Sequence, residues 1–244
     1  LTELYSILYV CDRKWTLENL PRMKEFQEAE GNWAAEQVSG RVLQRQKKQV
    51  LENLPALKDV HTWCTLSDVQ RRMYDVAEHH KLSQSYLRRI ICHPWCADGP
   101  KGQWPLKIGD KVGRPYCNKL ELLFDILHKA FTDKHQTRKV LVFCVHHNCI
   151  QMLQDLIPKR FPHHCPTVCT YHGQLNMDQR MLAKCTFRDD PLANVLLIQI
   201  EAGCRALNFA FASVVVHYEL IWNPAKQEQA GFRAHRIGQD RDVT

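Results

Sequence analysis

Apolar residues between 118 and 244 fall into two alternating rhythms. Leu120, Leu123, Phe124, Leu127 and Phe131 recur at three- and four-residue spacing, which predicts a helix with one buried face. Asn118 with Glu121 three positions later is a capping-box pattern for its start. Val140 to Val145 is a short run rich in β-branched residues and predicts a buried strand. A helix is expected from there to about Ile157, where Pro158 should stop it. Thr167 to Tyr171 predicts a second strand. Asn176 and Gln179 then open a helix whose expected inward residues are Met177, Met181, Leu182 and Cys185. Asn194 to Gln199 and Val214 to His217 predict two more strands. Asn223 and Pro224 begin a final helix expected to run to Gly238, a glycine suited to a C-terminal cap. Strand and helix alternate throughout, so the expected fold class is α/β, a doubly wound parallel sheet.

The rest of the chain has a different texture. Residues 1 to about 93 predict mostly helix, including one that starts at Ser67 with Gln70 as a capping box. Between 94 and 117 stand Pro94, Gly99, Pro100, Gly102, Pro105, Gly109, Gly113 and Pro115, the density of a linker or surface insertion.

Composition narrows the class. Of 244 residues, 45% are hydrophobic and 24% charged, as in a globular protein, and no apolar run is long enough to predict a membrane span. LTELYSILYV lacks a basic leader and makes a poor signal peptide. The net charge of +7 suits either a polyanionic partner or a generic basic surface. Eleven cysteines, scattered through stretches such as VLVFCV, suggest buried thiols rather than disulfides.

The closing segment carries the strongest chemistry. On one continuous helix, Gln229, Arg233 and Arg236 would form a polar stripe at i, i+4 and i+7. Two guanidinium forks match phosphate oxygens in charge and shape. The same spacing also fits an ordinary basic helix end that complements the dipole. WNPA-x-x-x-QA-x-x-R-x-HRIGQ, from Trp222 to Gln239, closely resembles motif VI of the SWI/SNF-type ATPases, a branch of helicase superfamily two. RKVLVFC (138–144) resembles motif IV, and TYHGQLNMDQR (170–180) the block after it. LRRIICHPW (87–95) resembles the segment between the two lobes, RQKKQVLENLP (45–55) the end of the first lobe, and SDVQRRMY (67–74) the helix that follows.

The resemblance implies three parts. These are the remainder of a first helicase lobe at 1–58, a helical inter-lobe connection and linker at 59–117, and a second RecA-like lobe at 118–244. It implies catalytic roles for Arg233 and Arg236 on ATP, with Gln229, Gly203 and Asn208 also at the nucleotide. It implies that Phe143, His172, Gly173, Arg180 and Arg205 lie along DNA. ATP and Mg²⁺ would be held mainly by the first lobe of the same polypeptide, because the sequence contains no Gly-x-x-x-x-Gly-Lys-Ser/Thr and no Asp-Glu-x-His. LTELYSIL resembles the sequence that follows motif III, so the chain looks cut at both ends and should not hydrolyse ATP alone. The implied partners are duplex DNA and chromatin or another DNA-bound protein, with no membrane, and the implied location is nuclear. A strand-separating helicase and a degenerate non-catalytic binding module are the alternatives.

Two departures stand out. Phe232 stands where the family usually has an acidic residue. In motif V, Cys204 and Ala206 replace two glycines of the family pattern, and Arg205 lies between them as a possible replacement phosphate contact. Cys92, His93 and Cys96, and likewise His163, His164, Cys165 and Cys169, invite a metal reading. Neither set offers a Cys-x-x-Cys pair with a second pair at zinc-ribbon spacing, so no metal site is expected.

Overall fold

The computed structural model describes residues 8–11, 13–21, 24–25, 54–97, 117–133, 136–203 and 208–244. The chain divides into two compact units, Leu1–Asn53 and Leu54–Thr244. In the first, Arg13–Asn19 forms helix α1. Most of the 45–55 stretch, and the Cys204-Arg205-Ala206 substitutions, lie outside the described residues.

The second unit begins with residues 54–66, which are not helical although helix dominates the expectation for this zone. Helix α2, Asp68–His79, starts at Ser67 with both hydrogen bonds of the capping box in place. Helix α3, Gln84–Cys92, and the short α4, Pro94–Ala97, follow. Met73, Ala77, Ile90 and Ala97 form a small core among these helices. Gln70 is buried there, and its amide donates to the Ile90 and Ile91 carbonyls at 2.9 and 3.2 Å, tying α2 to the end of α3.

The remaining elements build the sheet. They are α5 (Asn118–Phe131), β1 (Val140–Cys144), α6 (His147–Arg160), β2 (Val168–Tyr171), α7 (Met177–Asp189), β3 (Val195–Gln199), α8 (Ile200–Gly203), β4 (Val214–His217) and α9 (Pro224–Gly231). Four parallel strands lie in the order β2-β3-β1-β4. Val140 pairs with Val195 on one side and Val214 on the other. Every residue of β1 is buried, because helices cover both faces. Val140, Val142 and Cys144 join Val195 and Leu197 under α5 and α6. Leu141 and Phe143 point the other way and join Leu196, Ile198, Phe187, Phe209 and Ala230. This alternation makes the fold doubly wound, as expected.

Four local expectations are corrected. The N-cap of α5 is Cys117 without a side-chain cap; Asn118 is already helical, and its amide donates to Thr65 instead. Helix α6 runs three residues past Ile157 with Pro158 inside its last turn. Proline withdraws only the bond to the Gln154 carbonyl, and Gln154 is exposed to water.

Helix α7 opens at Asn176 with Gln179 as expected, through a capping box, but Met177, Met181 and Leu182 are 76%, 59% and 67% exposed. Cys185 is half-buried, as are Arg180, Ala183 and Lys184, and Phe187 is fully buried, so the helical period is right but the inward face is turned away from Met177, Met181 and Leu182. Helix α9 ends at Gly231 rather than near Gly238. The Arg233 and Ala234 N–H groups close tight three-residue turns, and the Arg233 carbonyl accepts from Phe209 N–H outside the helix.

Candidate functional site: the arginine loop and the strand ends

Parallel α/β sheets bind ligands at the carboxyl ends of their strands. Two groups of predicted residues gather around this sheet.

The first is the segment after α9. Asn223 caps the helix by accepting from Lys226 N–H at 3.3 Å, with Pro224 at the first helical position. Gln229 is exposed in the last turn. Arg233 and Arg236 are half-buried on the turns beyond it, so the three residues are not one helical stripe. Ala230 and Ala234 are fully buried and anchor the segment under the sheet. Phe209 N–H donates to the Arg233 carbonyl at 3.0 Å, which joins the end of the motif V region to the arginine segment. Asn208 lies beside this bond, exposed, its side chain accepting from Ala210 N–H at 3.2 Å. Gly238 has φ of +95°, a conformation that a side chain would strain. That turn brings Gln239 back into the interior, where its amide donates to Ala212 and Ala234 carbonyls at 2.7 and 3.3 Å. Its oxygen accepts from Asp240 and Arg241 N–H, both at 3.1 Å. Sequence reasoning gave Gln239 no role beyond its place in the motif.

The C-terminal residues complete this edge. Thr244 exchanges backbone bonds with Val215 of β4 and with Ser213 just before it, and Leu57 pairs in parallel with Val243. The His235 ring bonds the Pro55 carbonyl at 2.8 Å, and Lys58 pairs with Asp242 at 2.7 Å.

The second group sits beyond β1, β2 and β3. His172 and Gly173 follow β2 directly. Gly173 N–H donates to the Gln199 side chain at 3.2 Å, and Gln199 reaches the Val145 carbonyl at 3.5 Å. Arg180 donates to the Gly173 carbonyl at 2.9 Å, with its guanidinium 5.6 Å from the centre of the Tyr171 ring. The His172 ring meets His147 edge-on at 4.7 Å. Burial, then the neighbouring His147 and Arg180, lower the His172 pKa, so it is neutral at pH 7. Gly203 closes α8, while Arg205 lies outside the described residues.

Phe143 does not belong to this group. It is fully buried in β1, stacked on His217 with ring centres 5.4 Å apart. A side chain sealed between sheet and helices cannot lie along DNA, which corrects the expectation drawn from its motif.

The same strand ends hold a carboxylate that sequence reasoning missed. Glu219 is buried just after β4, and its Oε2 accepts from Val145 and His146 N–H at 2.8 and 2.9 Å. Its Oε1 faces His146 Nδ1 at 2.5 Å and the Cys92 thiol at 3.1 Å. Burial would raise its pKa, but the His146 ring, the backbone N–H and the thiol outweigh that and hold it down at about 2.

Comparison with known proteins agrees with this geometry. Residues 118–238 match the family model of the helicase conserved C-terminal domain. The chain is 27% identical over 250 residues to TATA-binding protein-associated factor MOT1 of Saccharomyces cerevisiae, covering 83% of this chain and 13% of that protein. It is 27% identical over 266 residues to mouse (Mus musculus) chromodomain-helicase-DNA-binding protein 1-like, covering 100% of this chain and 28% of the relative.

Residues 118–238 thus form a helicase conserved C-terminal domain, and the chain is similar to the SWI/SNF-type proteins of helicase superfamily two. It spans between 13% and 28% of the length of those relatives. Among solved structures, the C-terminal part of the Fun30 ATPase domain superposes with a TM-score of 0.62 at 19% identity, covering 78% of this chain and 83% of that one. The Sulfolobus solfataricus SWI2/SNF2 ATPase core in complex with dsDNA superposes with a TM-score of 0.58 at 21% identity, covering 91% and 48%. The fold is that of the RecA-like C-terminal lobe of these ATPases.

Proposed function

We propose that this SWI/SNF-type chain provides the second lobe of a DNA-dependent ATPase that translocates on duplex DNA and remodels chromatin or other protein–DNA complexes. The observation that carries this reading is the arginine segment, fixed by Phe209 and Gln239 and still partly open to solvent. In the proposed mechanism, ATP and Mg²⁺ are held mainly by a first helicase lobe of the same polypeptide. Residues 1–58 are the remainder of that lobe, 59–117 the connection and 118–244 the second lobe. When the lobes close, Arg233 and Arg236 meet the terminal phosphates and stabilise the charge that develops on the transferring phosphoryl group. Gln229, Gly203 and Asn208 line the same nucleotide edge. His172, Gly173, Arg180 and Arg205 follow the DNA backbone. Contacts of that kind position the protein without reading base sequence. The names of the relatives support a nuclear location, and among the described residues no helix is long and apolar enough to cross a membrane.

The test uses the longer polypeptide carrying both lobes. Arg236→Ala should lower DNA-stimulated ATP turnover by about 10³-fold or more, the usual worth of such an arginine. Near-normal turnover would remove Arg236 from the mechanism. The 244-residue chain by itself should show no turnover above background, and robust hydrolysis would refute the assignment of ATP binding to another lobe.

A further inference from the structure

Three side chains from distant parts of the sequence line up where the start of α3 meets the turn between β1 and α6. Ser85 stands in the first turn of α3, and its Oγ lies 3.3 Å from His146 Nε2. On the other side of the same ring, His146 Nδ1 lies 2.5 Å from Glu219 Oε1. Glu219 Oε2 accepts from the Val145 and His146 N–H groups at 2.8 and 2.9 Å. One carboxylate therefore holds both the ring and the backbone of a single histidine. The row runs from outside to inside: Ser85 is exposed, His146 is half-buried and Glu219 is buried.

We propose that Ser85, His146 and Glu219 form a serine-nucleophile triad that hydrolyses short acyl esters or thioesters. The roles follow from the atoms. His146 Nε2 is the general base for the Ser85 hydroxyl. Glu219 accepts from Nδ1–H, which fixes the tautomer that leaves Nε2 open to a proton, and it stabilises the imidazolium that forms. Burial would raise the Glu219 pKa, but the bonds from the His146 ring and N–H and from the Cys92 thiol hold it at about 2, so the carboxylate is charged at neutral pH. A pair that only tied the start of α6 to the end of β4 would not need its outer nitrogen turned to an exposed hydroxyl. The Gln84 and Ser85 N–H groups lie in the first turn of α3, where a helix offers them no carbonyl of its own. At the positive end of the helix dipole, they are the donors for the oxyanion. Because Ser85 is exposed, the acyl carbon is met at the surface, which suits a short acyl chain.

The chemistry balances with water as the only co-reactant. Ser85 Oγ attacks the acyl carbon while His146 Nε2 takes the hydroxyl proton. The tetrahedral centre collapses, the bond from acyl carbon to the leaving oxygen or sulfur breaks, and His146 gives its proton to that alcohol or thiol. Water then attacks the acyl-Ser85 ester and passes a proton to Nε2. The acid leaves as Ser85 Oγ recovers that proton, and nothing is oxidised or reduced. The set is hidden from sequence motifs because Ser85 and His146 are 61 positions apart, and His146 and Glu219 73. Locally, Ser85 reads as one more polar residue at a helix start capped by Ser83.

The experiment treats the 244-residue chain with a biotinylated fluorophosphonate, which phosphonylates activated serine hydroxyls with loss of fluoride, and finds the adduct by peptide mass spectrometry. Ser85 should react at least about ten times faster than Ser83, a serine of the same helix start that caps Tyr86 N–H instead of facing a histidine. That comparison is internal to the wild-type chain and needs no variant to fold. His146→Gln should slow labelling of Ser85 by about 10²-fold or more, the worth of a general base. Hydrolysis of 4-nitrophenyl acetate by the wild-type chain should exceed that by Ser85→Ala, which keeps every other surface nucleophile. A natively folded wild-type chain that labels Ser85 no faster than Ser83 would overturn the proposal. So would labelling at the wild-type rate in His146→Gln, or equal ester hydrolysis by Ser85→Ala and wild type.

Discussion

Two glutamines organise the two halves of the proposed site, and they do so differently. Gln239 is buried, and its amide uses every hydrogen-bonding position it has, two donors and two acceptors, on backbone groups. Gln199 is half-buried at the end of β3, and among the described residues its side chain holds Gly173 N–H and, at 3.5 Å, the Val145 carbonyl. The arginine segment is therefore fixed before any ligand arrives. Groups that must meet a phosphoryl oxygen within a few tenths of an ångström benefit from that, since the ordering cost is met in folding rather than in catalysis. Among the described residues the strand-end loops are tied by fewer side-chain bonds, and Gly173 is exposed to solvent. That suits a backbone contact that forms and breaks as DNA passes.

The contrast breaks first at Gln239. Gln239→Ala keeps both arginine side chains but strands the buried backbone groups that position them, each costing about 1–3 kcal/mol. Thermal melting of the 244-residue chain should show a clear loss of stability. In the longer polypeptide, DNA-stimulated turnover should fall by roughly 10–100-fold, the cost of a misplacement of about an ångström. Full turnover in a folded but destabilised variant would show that the arginines are positioned by something else.

The strand-end group is tested next by charge. Arg180→Ala should weaken duplex binding and lower the slope of log affinity against log salt by about 0.9, one phosphate contact. Gln199→Ala should weaken binding by a smaller factor and leave that slope alone, because an amide releases no counterion. Equal slopes in Arg180→Ala and wild type would remove Arg180 from the DNA surface.

Much of this was legible in the sequence, for stated reasons. The four strands read clearly because each is a short apolar run, and the helices expected to start at Ser67 and Asn176 do so with capping boxes, whereas the box expected at Asn118 does not form. The phase of α7 was misread because apolar residues were taken as inward. In fact Arg180 and Lys184 occupy the covered face, where a long aliphatic stem can lie against the sheet while its charge reaches out. The extent of α9 was misread because a motif conserves residues, not a continuous helix. What ends the helix is a long-range bond from Phe209, twenty-four positions before Arg233. Phe143 was misplaced for a related reason: its motif lies near the site, but β1 is covered on both faces, so its side chains are all in the core. Glu219 and its partners were invisible because nothing in local spacing joins residues 85, 146 and 219.

The smallest effect concerns His172, a histidine of the strand-end cluster whose pKa is lowered. Its folded pKa lies below the ordinary 6.5, through burial and then the charges of His147 and Arg180. A depressed histidine means that the unfolded chain binds protons more readily than the folded one below that pH. Its neutral form thus costs nothing above pH 6.5, and stability is lost as pH falls from there toward the folded pKa. His172→Gln removes that loss. The difference in melting temperature between pH 7.5 and pH 5.5 should therefore be smaller in the variant, by on the order of 1 °C given how exposed the ring is. A DNA phosphate beside the ring would raise its pKa, so duplex should shrink the same difference in the wild-type chain and leave His172→Gln unaffected. If duplex changes both proteins equally, His172 does not face the backbone, and the loosely held half of the site ends at Gly173 and Arg180.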